Sequence, residues 1–147
     1  MDSRRIASVA AVVGGAAWLT KVALIWANGG ENTDTGVVGV MYLVGLAGVV
    51  VALGAAGYTL VEKAPVWLRA VVVVATPLLV MMVWMVLDQG IKAVYTTQSW
   101  VRDEINIVLA AVVALALGIW GLRRARGGRD GSEPVAPAHG RRAERGQ

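Results

Sequence analysis

The chain has 147 residues, of which 56% are hydrophobic, and a formal net charge of +4 at pH 7. The apolar residues form long runs, which excludes an ordinary soluble domain, where apolar and polar residues alternate. The absence of cysteine excludes disulfides and thiolate chemistry, and because the single histidine, His139, lies outside the apolar runs, haem ligation within them is excluded as well.

Four apolar runs approach the length of about 20 residues that a helix needs to cross the hydrocarbon core of a bilayer. They predict an all-α fold, an antiparallel four-helix transmembrane bundle that occupies residues 1–124. The first run is longer than the apolar region of a signal peptide, about 7–15 residues, and lacks a small-x-small cleavage pattern, so we predict a retained anchor. The predicted spans are 6–27, 37–61, 66–87 and 105–122.

Charged residues between the runs predict the orientation. Arg4 and Arg5 precede the first run and Lys63 and Arg69 flank the second connection, whereas the first connection, NGGENTDTG, carries only acidic charge. By the positive-inside rule, both termini and the second connection face the cytoplasm, as in a multi-pass protein of the cell membrane. The basic residues are thereby explained without a specific nucleic-acid partner.

The second run contains six glycines in three nine-residue copies, GVVGVMYLV, GLAGVVVAL and GAAGYTLVE. At about 100° per residue, nine residues advance a helix by about two and a half turns, so successive copies point to opposite faces. Gly45 and Gly48 then lie opposite Gly54 and Gly57, which share their face with Gly36 and Gly39. Small residues allow close helix approach. We therefore expect a partner on each side of this helix, either within the bundle or in an oligomer, unless the spacing merely reflects composition.

The third run and the connection that follows it carry two local signals. Pro77 predicts a kink over residues 73–76, because proline lacks a backbone donor and clashes with the preceding turn. Ile91, Val94 and Tyr95 recur at helical spacing, which predicts a short extracytoplasmic interfacial helix lying on the membrane surface.

Lys21 is the one clear ionisable residue within a span, and such residues are functional candidates by default. It lies six residues before Ala27, about 9 Å from the outer end of the helix. One hypothesis is a polar pocket in which Lys21 pairs with Asp88 or Glu104. The alternative is a structural lysine that either extends to water along its own stem or is simply paired, with the acidic residues at the start of the fourth helix explained by the helix dipole alone. In the first hypothesis, the polar pocket would also include Thr20, Asn28 and Asn106.

The C-terminal segment 125–147 is rich in glycine, proline and arginine and has little to bury, which predicts a disordered cytoplasmic tail. Its arginines would associate with anionic lipid at the membrane surface.

The sequence offers no catalytic signature. Metal-ligand spacings, a nucleophile elbow and a phosphate-binding loop are missing, and the adjacent Asp103 and Glu104 would point about 100° apart on a helix. We therefore expect no catalytic residue, metal or cofactor, and an accessory or scaffold subunit that packs against a membrane protein or a second copy. The alternatives are a small oligomeric transporter or channel with a polar site around Lys21, and a sensor that uses the interfacial helix and the tail.

Overall fold

The computed structural model describes residues 2–30, 36–94 and 100–130, without the side chains of 100–103 and 126–130. The regular structure in these ranges is helical, which confirms the all-α prediction, and all four helices are long and apolar enough to cross a membrane. This composition is compatible with a multi-pass membrane protein. The helices are α1 (Ser3–Ala27), α2 (Val37–Leu60), α3 (Val66–Val94) and α4 (Trp100–Asp130).

The end of α1 is fixed by glycine. Gly29 and Gly30 have φ angles of 74° and 91°, which only glycine adopts without steric cost. The N–H of Gly30 donates to the Ile25 carbonyl at 2.9 Å, and the N–H of Gly29 donates to the Trp26 carbonyl at 3.1 Å. This pair of bonds is the Schellman arrangement, which satisfies carbonyls that the helix end would otherwise leave open.

The helices pack in the spatial order α4, α1, α2, α3. Extensive contact joins α1 to both α2 and α4, and α2 also contacts α3, whereas α3 and α4 touch only sparsely. Burial agrees with this arrangement, because the described residues of α1, which lies between two helices, include seven buried ones, whereas those of α3, at the edge, include one, Pro77. As expected from its glycines, α2 therefore has a neighbour on each side.

The predicted interfacial helix does not form a separate element within the described residues. Ile91 and Val94 belong to the last turn of α3, which continues beyond the predicted span end at residue 87, and Tyr95 lies outside the described ranges. An ion pair between Lys92 and Asp88, 2.9 Å long, joins positions i and i+4 across Gly90 and supports the continued helix.

The fourth helix is longer than its predicted span, 105–122, at both ends. Its apolar segment is Glu104–Ala125, and the helix continues to Asp130, so the first six residues of the segment predicted as disordered are helical. Arginine is a good helix former and is favourable near a helix C-terminus. The rest of the predicted tail, 131–147, lies outside the described residues.

Candidate functional site

A buried ion pair connects α1 to α4. The Lys21 ammonium Nζ lies 2.8 Å from Oε1 and 2.9 Å from Oε2 of Glu104. The two residues are only 4% and 3% exposed. Charged side chains that are removed from water to this degree are tolerated only when they are paired. Lys21 can therefore be buried because Glu104 neutralises its charge, and the reverse holds for Glu104.

Small residues allow α1 and α4 to approach closely enough for this pair. A Cβ added to Gly15 would lie 2.8 Å from the Ala111 carbonyl oxygen, and one added to Gly118 would lie 2.8 Å from the Ser8 carbonyl oxygen. Because the backbones meet at these glycines, the register between the two helices is fixed. Lys21 is thereby held beside Glu104.

Tyr42 of α2 contacts the Lys21 side of the ion pair. Its ring centroid lies 5.4 Å from the Lys21 ammonium, within the range of a cation–π contact. The indole Nε1 of Trp18 donates a hydrogen bond of 3.2 Å to the Tyr42 backbone carbonyl, and the Trp18 ring packs against Gly45. The missing side chain at Gly45 therefore provides the space for the indole.

A second polar link joins α4 to α3. The side-chain amide of Asn106 donates to Oδ1 of Asp88, while Lys92 lies 2.9 Å from the other Asp88 oxygen. Asn106 is only 4% exposed, and within the part of the chain that the structure describes its carbonyl oxygen Oδ1 is buried without a hydrogen-bond partner. Glu104 and Asn106 are two residues apart, so they leave α4 in nearly opposite directions.

Four of the residues predicted for the pocket thus form two separate links. Lys21 pairs with Glu104, and Asp88 bonds to Asn106. Because the Lys21 ammonium is buried and bonded to both Glu104 oxygens, it does not extend to water.

The other two residues proposed for the pocket lie elsewhere. The Thr20 hydroxyl donates to the Ala16 carbonyl of its own helix, and Asn28 is the C-cap of α1. Sequence reasoning missed Tyr42 and Lys92. The spacing of four residues between Asp88 and Lys92 was the available signal for the latter.

The glycines of α2 contact two different helices. A Cβ added to Gly48 would lie 2.7 Å from Gly14 Cα of α1. On the other side, a Cβ at Gly57 would lie 3.2 Å from the Val72 carbonyl oxygen, and one at Gly54 would lie 3.4 Å from the Val73 carbonyl oxygen of α3. Both glycine faces are therefore used within the chain.

A groove with a volume of about 600 Å³ runs beside Lys21, and its remaining lining residues come from the first turns of α2: Gly36, Gly39, Val40, Tyr42 and Leu43. Among the described residues no group of three or more His, Asp or Glu side chains is placed to hold a metal ion.

Comparisons with known protein families, with curated protein sequences and with solved structures give no match to this chain.

Proposed function

We propose that the protein is a small integral protein of the cell membrane that acts as an accessory or scaffold subunit, without catalytic activity of its own. It spans the bilayer as an antiparallel four-helix bundle with both termini in the cytoplasm. Its partner is another membrane protein or a second copy, and the arginines near its C-terminus contact anionic lipid.

The order of contacts along the helices supports the antiparallel arrangement. Ser8 lies against Gly118, Gly15 against Ala111, and Lys21 against Glu104, so positions that advance along α1 recede along α4. All four helices have the length and hydropathy of membrane spans. In an antiparallel bundle, the basic α2–α3 connection then lies on the same side as both termini, as the positive-inside rule requires.

The closed Lys21–Glu104 pair is the observation that carries the scaffold proposal. Both carboxylate oxygens contact the ammonium, so the two buried charges neutralise each other. The pair instead joins helices, which is a structural role. The glycine faces of α2 are occupied as well, which leaves the apolar surface of α3 as the broadest one available to a partner.

A transporter or channel is less well supported by this geometry. A solute that used Lys21 would have to displace Glu104 from the ammonium, and the groove beside Lys21 is lined mainly by glycine and apolar side chains. Such a solute would therefore gain few polar contacts in return for breaking a buried ion pair.

The orientation is testable because the natural chain contains no cysteine. In Asn28→Cys, at the exposed end of α1, we expect labelling of intact cells by a membrane-impermeant maleimide. In Glu62→Cys, in the exposed α2–α3 connection, we expect labelling only after permeabilisation. The reverse pattern would invert the orientation, and labelling of both positions in intact cells would contradict membrane insertion with this topology.

The scaffold proposal predicts that a photo-crosslinking amino acid at Val86 of α3 gives a discrete protein adduct in native membranes. Val86 is 72% exposed, and the matched control is Leu109 of α4, which is 48% exposed. Because Asp88 bonds to Asn106, the two positions lie within about a turn of the same contact. We expect the adduct from Val86 and none from Leu109, with its mass distinguishing a second copy from another protein. Lipid adducts alone at both positions would contradict the scaffold function.

A further inference from the structure

We propose that residues 78–94 of α3, here called the distal half, form a lever that swings about Pro77 and is held closed, among the described residues, by one polar contact. That contact, the hydrogen bond from the Asn106 amide to the Asp88 carboxylate, is here called the latch. The proposal is independent of the scaffold function, since it concerns how α3 is attached to the other helices.

The hinge is defined by a missing backbone hydrogen bond. Pro77 has no N–H, so the Val73 carbonyl lacks its helical donor. In the same turn, the hydroxyl of the preceding residue, Thr76, donates to the Val72 carbonyl at 2.7 Å, and threonine bonds of this kind often bend helices. Two features that weaken the helical hydrogen bonds therefore act on consecutive carbonyls of one turn.

The part of α3 before the hinge is held at backbone distance. The Val72 and Val73 carbonyls lie against Gly57 and Gly54 of α2, where added Cβ atoms would be 3.2 and 3.4 Å away. Pro77 itself is buried. This half of α3 is consequently fixed to α2.

The distal half is attached much more weakly. Every residue from 78 to 94 is exposed or half-buried, and Val83 and Val86 are 60% and 72% exposed. Contact between α3 and α4 is sparse, and the latch is the polar bond between them among the described residues. The distal half thus lacks the close backbone contacts that fix the other half.

Closing the latch has one favourable and one unfavourable contribution to the free energy. Closing it forms a charge-assisted hydrogen bond to Asp88, but it also buries the Asn106 carbonyl oxygen without a donor. A charge-assisted bond and an unsatisfied buried acceptor are of similar magnitude and opposite sign. When the lever opens, that oxygen gains access to a donor and the α4 surface around Asn106 is uncovered.

The lever predicts a distance change confined to one half of α3. Spin labels on Val86→Cys and Leu109→Cys report the distal half, and labels on Val71→Cys and Leu117→Cys report the fixed half; all four positions are exposed. Val86 lies about 13 Å along the helix from Pro77, so a swing of about 20° moves it by about 5 Å. Pulsed electron paramagnetic resonance measures both distances in lipid nanodiscs.

In Asn106→Leu and in Asp88→Leu, each of which removes one side of the hydrogen bond, we expect the distal distance to lengthen by about 5 Å or to broaden to that extent, while the control distance stays constant. Adding Pro77→Ala should reduce the shift, because it restores the missing hydrogen bond. An unchanged distal distance in both variants would refute the latch. Equal shifts in both label pairs would refute the hinge at Pro77.

Discussion

Lys21→Met and Glu104→Leu are each expected to lower the free energy of unfolding by about 3–5 kcal/mol, because each breaks the ion pair while the other charge stays buried. Lys21 and Glu104 are 4% and 3% exposed, so water does not replace the lost contact. The double variant should recover most of this loss, since two apolar side chains of similar volume remove both charges together. The quantity to measure is the unfolding free energy in mixed micelles titrated with sodium dodecyl sulfate.

The matched control for the buried pair is Lys92→Met. The Lys92–Asp88 pair has nearly the same length, 2.9 Å, but its side chains are 34% and 21% exposed. A pair in contact with water is worth about 0–1 kcal/mol, so this variant should change stability little. If the double variant at positions 21 and 104 instead lost the sum of the two single losses, the side chains would not act as a coupled pair.

The number of helices and the two faces of α2 follow from sequence because they depend on local spacing. Apolar run length predicts the spans, and the nine-residue glycine period places Gly48 and Gly57 on opposite sides of one helix, where the structure has α1 and α3. The same spacing argument fails at Ile91 and Val94. Their spacing is the same whether a new helix starts there or α3 continues. In the structure, α3 continues through both residues.

The polar contacts are harder to predict because they depend on the register between distant helices. The sequence alone did not distinguish Asp88 from Glu104 as the ion-pair partner of Lys21. The choice is made by backbone contacts at Gly15 and Gly118, which fix how far α4 is displaced along α1. Those contacts join residues about a hundred positions apart, and local periodicity carries no information about them.

Gly48→Ala and Gly90→Ala are expected to change stability in opposite directions, although both put the same methyl group on a helical glycine. At Gly48 the new Cβ would lie 2.7 Å from Gly14 Cα and 2.9 Å from the Ala10 carbonyl oxygen, so α1 and α2 must separate. Overpacking of this kind costs about 1–3 kcal/mol. At Gly90 no atom lies within 4 Å, and alanine should add up to about 1 kcal/mol through helix propensity.

The same denaturant titration tests the mechanism through a double variant. Gly14 and Gly48 face each other across the α1–α2 contact, so either alanine alone forces the backbones apart. Once they have separated, the second methyl group meets a wider gap, and Gly14→Ala with Gly48→Ala should cost less than the sum of the single variants. Additive losses, or a loss at Gly90 as large as that at Gly48, would mean that glycine does not determine the α1–α2 distance.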